Sequence, residues 1–143
     1  MDQDTAQKLR LFYITSIFSI AFAMLGFTYN AWRMEVTEDN SNIRTAAFEV
    51  LLQLSQLQQN IYAAHYDKNT QEGNPRKAWV TVGLVVDMSV FISPDVQAQA
   101  IILNTRWSES WSVVAEDEKV VKELILQIDE VRFRINTALR NLQ

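Results

Sequence analysis

The sequence holds no cysteine, three glycines, two prolines and a single histidine, His65. Without cysteine there are no disulfides, no thiolate metal sites, no covalent c-type haem and no thiol nucleophile. So few glycines and prolines cannot furnish the many turns of an all-β domain, and no phosphate-cradling glycine loop can be built from them. Acidic and basic residues are mixed along the chain for a net charge of about −4, with no basic stripe. Nucleic acid is therefore not an expected partner. No G-x-S-x-G element and no Glu-x-x-His pair occurs, which removes the α/β-hydrolase elbow and the carboxylate-bridged di-metal signature of helical bundles.

What the chain has is apolar material in long runs: 48% of its 143 residues are hydrophobic, enough for one packed domain. From Leu11 to Trp32, LFYITSIFSIAFAMLGFTYNAW, no residue is charged. As a helix this stretch is roughly 33 Å long, sufficient for a hydrocarbon core of about 30 Å. Tyr13 near one end, and Tyr29 and Trp32 near the other, suit the two interfacial aromatic belts. A soluble core helix would carry a polar stripe, and none is seen. A cleaved signal peptide would stop soon after the AFA of Ala21 to Ala23, whereas the apolar run continues to Trp32. The expected domains are a tail (1–10), a transmembrane helix (11–32), a polar linker (33–42) and a helical bundle (43–143). Lys8 and Arg10 before the helix favour a cytoplasmic N-terminus and an extracytoplasmic bundle. In a Gram-negative bacterium that bundle would face the periplasm.

Beyond the linker, Ile43, Ala47, Val50, Leu54, Leu57, Ile61 and Ala64 recur at alternating spacings of four and three, a heptad seam. Ser41 is a candidate N-cap for that helix, which should end near Asp67. Asn74-Pro75 starts a second helix and Ser93-Pro94-Asp95 a third, since proline suits a first-turn position whose N–H has no helical partner. The stretch from Ala78 to Ile92 is nearly all apolar and would also permit a buried strand, but the surrounding helices favour helix. Val96, Ala100, Leu103, Trp107, Trp111 and Val114 should line the inner face of the third helix. Glu116-Asp117-Glu118 can open a fourth helix, the alternative being one continuous helix from Pro94 onward. A second seam runs through Val121, Leu124, Ile128, Val131, Ile135, Ala138 and Leu142. The expected fold is all-α: an N-terminal transmembrane helix followed by an antiparallel, up-down bundle of about four helices.

Two sets of residues are left over. Phe48, Leu52, Leu126 and Phe133 lie behind the two seams. A broad buried face is the favoured account of them, a protein-contact surface the other. The second set surrounds the first connection: His65, Tyr66, Asp67, Arg76 and Trp79 should meet if the first two helices form a hairpin. They offer ring surfaces, donors and a guanidinium for a small ligand or peptide, but the favoured account is structural: aromatics close the end of a bundle and Asp67 with Arg76 pins the loop. Asp87 is the only charge in an apolar helix, so burial would demand a partner such as Arg76, Arg44 or Arg134.

No catalytic residue, metal or cofactor is expected; haem held by His65 and a methionine is formally open, and an absorbance spectrum would test it. In layout the chain is similar to sensor-type proteins in which a membrane helix carries an extracytoplasmic bundle. It has neither the second membrane helix nor the output domain of such receptors, so the likeness transfers no residues. The functional expectation is a membrane-anchored bundle acting by contact with another membrane or periplasmic protein, or with itself. The alternative is a sensor-like module that binds a small ligand or peptide.

Overall fold

The computed structural model describes residues 3–142 and is all-helical: α1 (Gln3–His65), α2 (Pro75–Ser89), α3 (Pro94–Ser110) and α4 (Glu118–Arg140). The chain divides into two compact units, residues 1–39 and 40–143.

The first unit is the N-terminal part of α1. Its apolar residues point outward all round the helix, and the most apolar window, with a mean hydropathy of 1.8, buries nothing inside protein. Among the described residues this is the one helix long and apolar enough to cross a membrane. Its hydroxyl groups are satisfied within the helix. Thr15 donates to the Leu11 carbonyl at 3.0 Å, Ser19 to Thr15 at 2.9 Å and Thr28 to Met24 at 2.9 Å. Back-bonding of this kind lets Ser and Thr sit in an apolar medium without an orphaned donor.

Helical backbone also runs through the polar stretch 33–42, where no glycine or proline interrupts it. Ser41 therefore lies inside α1 and caps nothing; its carbonyl accepts from the Thr45 hydroxyl at 2.9 Å.

The second unit is an antiparallel bundle of the C-terminal part of α1 with α2, α3 and α4. The directions follow from cross-helix bonds. Arg132 on α4 donates to Gln58 on α1 at 2.7 Å, and Asn60 on α1 holds the carbonyls of Glu72 and Asn74 at the entry to α2. Trp79 on α2 meets Trp107 on α3 edge-on, and α3 is tied to α4 by Asp95–Arg134 at 2.9 Å and Gln99–Gln127 at 2.9 Å. Both seams are spent on the core. Ala47, Val50, Leu54, Leu57 and Ile61 from α1 and Leu124, Ile128, Val131 and Ile135 from α4 have no exposed surface. Val82, Val85, Val96, Ala100 and Leu103 fill the space between them. Each large aliphatic side chain so buried contributes up to about 1.5–3 kcal/mol.

The cap residues hold three helix starts as their chemistry requires. Asn74 accepts from the Arg76 N–H at 2.9 Å, Ser93 from Val96 at 3.2 Å, and Asp117 from Lys119 at 2.9 Å and Val120 at 3.3 Å. The apolar run after Asn74 is helix α2 and not a strand. Helices α3 and α4 are separate: α3 stops at Ser110, whose hydroxyl bonds back to the Arg106 carbonyl at 2.6 Å. This corrects one expected core position. Trp111 caps α3 at its C-terminus and turns outward at 42% exposure, while Val114, in the following turn, is buried.

The leftover apolar residues correct another expectation. Phe48 is 62% exposed, Leu52 52%, Leu126 65% and Phe133 58%, so no broad buried face accounts for them. Each lies about 200° from a seam residue two positions away, on the side of its helix that faces water.

Candidate functional site

The end of the bundle where α1 meets α2 and α3 meets α4 carries most of the residues singled out near the first connection. Its construction begins with the stop of α1. The N–H of Asn69 reaches back six residues to the Ala63 carbonyl at 2.9 Å and closes the end of the helix. That closure puts the residue before it in the left-handed region, and Lys68 has φ 52° where glycine is usual. Asn69 then uses its side chain to accept from the N–H groups of Gln71 and Glu72 at 3.0 and 3.1 Å, folding the loop over. Gly73 closes it against α1. A Cβ there would lie 2.5 Å from the backbone N and Cα of Ala64, so only glycine lets the two segments touch.

The end of α1 also meets the connection between α3 and α4. His65 Nδ1 lies 2.9 Å from the carbonyl of Val114. A carbonyl can only accept, so Nδ1 carries a proton and donates it. Lys68 donates its ammonium to the neighbouring Ala115 carbonyl. The ring of Tyr66 stands edge-on to His65 with centroids 4.7 Å apart, and Tyr62 follows at 5.6 Å. The Tyr62 hydroxyl accepts from Gln58 at 2.9 Å, and Gln58 accepts from Arg132, which pairs with Asp129 at 2.8 Å. A polar row thus crosses from α4 along α1 to its end.

Facing this row, Glu118 in the first turn of α4 is paired with Lys122 at 2.8 Å. The Lys122 hydrogen bond and charge hold the Glu118 carboxyl below its ordinary range, with a smaller push from His65. The same bond holds the Lys122 ammonium above its ordinary value.

The predicted cluster is only partly assembled. His65 and Tyr66 are in contact, and both belong to the row just described. Asp67 and Arg76 are exposed and form no ion pair among the described residues, so they do not pin the loop. The Arg76 guanidinium has no hydrogen-bond or ion-pair partner among the described residues; its backbone N–H alone is used, on Asn74. Trp79 packs on Trp107 at the seam between α2 and α3, at a centroid distance of 6.3 Å. The Trp107 indole N–H is itself buried without an acceptor among the described residues.

Asp87 is exposed on the outer side of α2 and needs none of the expected arginines. Its spacing accounts for this, because the buried positions Ala78, Val82, Val85 and Ser89 leave Asp87 off their face. Arg134 instead holds Asp95 and Glu130.

A cleft of about 270 Å³ lies in the same end, lined by Ala64, Lys68, Asn69, Thr70, Gly73, Pro75 and Ala115. None of the residues expected at the first connection lines it. The sequence reading missed Lys68, Asn69 and Gly73, although an Asn-Thr-x-x-Gly stretch between two helices is itself a turn signal. Among the described residues no three His, Asp or Glu side chains converge to hold a metal ion. No family model matches the chain, no curated protein is similar to it in sequence, and no solved structure matches it in fold.

Proposed function

We propose that this chain is a single-pass membrane protein whose helical bundle works by protein contact, in an accessory, scaffolding or assembly role, and does not itself catalyse a reaction. The observation that carries the proposal is the surplus of apolar surface. The bundle satisfies its own core with both seams and still presents Phe48, Leu52, Leu126 and Phe133 to water. Large apolar side chains in that position cost solubility and are kept where a partner covers them. The bilayer is the second partner. It accounts for an apolar stretch of α1 that buries nothing in protein, and Lys8 and Arg10 before that stretch support a cytoplasmic N-terminus with the bundle outside the cytoplasm.

Cross-linking in intact membranes tests the contact surface. A specific neighbour, or a second copy, should be captured by the parent chain. Leu126→Glu combined with Phe133→Glu should abolish capture while leaving the thermal melt of the bundle in place. Capture that survives both charges would overturn the assignment of this surface. Protease protection in spheroplasts reads the orientation independently, because an extracytoplasmic bundle is cut from outside.

The cleft at the loop end supports a second reading, a sensor-like module for a small ligand or peptide. A metabolite screen by thermal shift should then give a hit that disappears in Thr70→Trp, which fills the cleft from an exposed position. A hit indifferent to that change would place binding elsewhere.

A further inference from the structure

We draw no further inference here: the strongest candidate, the row of small residues Ser16, Ser19, Ala23 and Gly26 along the apolar stretch of α1, lies on a bare helix face, and nothing in the structure shows what covers it.

Discussion

Residues 11–32 and 43–64 belong to the same helix and are both rich in apolar side chains, yet they dispose of them in opposite ways. In the first stretch apolar residues occupy every direction around the axis, and none is buried by protein. In the second they return every three or four positions, and the stripe they form vanishes into the core. A helix presents its whole circumference to something. When apolar residues fill one side only, protein can meet that side and water the other. When they fill all sides, as in this candidate span, an apolar medium suits the helix, and Thr15, Ser19 and Thr28 already satisfy their hydroxyls within it.

The largest effect that separates the two stretches is a buried charge. Leu54→Asp places a carboxylate at a core position with no exposed surface, which costs several kcal/mol and should abolish the cooperative melt of the bundle. Phe22→Asp should leave that melt intact and act on membrane association, since an aspartate near the middle of a spanning helix costs about 2.5–3.5 kcal/mol of insertion. Circular dichroism and membrane fractionation on both variants give a crossed pattern of losses. If Phe22→Asp unfolded the bundle and left the chain in the membrane fraction, the contrast between the stretches would be wrong.

The glycines divide along a similar line, between a surface met by protein and one met by nothing. Gly73→Ala drives a Cβ into the Ala64 backbone, where no flexible side chain can yield, and should destabilise the bundle by about 1–3 kcal/mol. Gly83 has helical backbone, and a Cβ there would meet nothing within 4 Å. Gly83→Ala should therefore stabilise by about 0.5–1 kcal/mol, because alanine loses less backbone freedom on folding. Opposite shifts in urea midpoint would bear out the distinction. A loss at Gly83 in membranes but not in detergent would mean that something covers the outer face of α2.

These contrasts also show which parts of the fold the sequence made legible. Asn74-Pro75, Ser93-Pro94 and Asp117 announce helix starts because capping is local chemistry, settled within three residues. The two seams were equally readable, since burial on one side imposes a period that the sequence must carry. Trp111 was misplaced because the spacing of Trp107, Trp111 and Val114 continues the period across a point where the backbone leaves the helix, with no glycine or proline to mark it. The loop end was the least legible. The bond from His65 to Val114 joins residues far apart in the chain, and close by Lys68 takes a left-handed conformation that few lysines adopt. Asp67 and Arg76 have complementary charge and short separation, but the same turn directs both to water.

The smallest effect lies at that loop end, and its pH dependence can be read from the charges. Glu118 is held below its ordinary carboxyl value by Lys122, so its share of stability is present above the unfolded value, near 4.5, and is lost as pH falls through the lower folded value. Lys122 is held above its ordinary value near 10.5, so its share is present below that point and is lost as pH rises through the higher folded value. The pair therefore stabilises the bundle across the middle of the range and at neither extreme. Both side chains are well exposed, so the effect is small and should shrink further at high salt. In Lys122→Met the Glu118 carboxyl should titrate higher, in a carbon-detected NMR titration, returning toward its ordinary value. The difference in stability between this variant and the parent should close below the parent's folded Glu118 value. If the Glu118 titration did not move, the helix end and His65 would be holding the carboxylate, and the pair would be a surface contact without consequence.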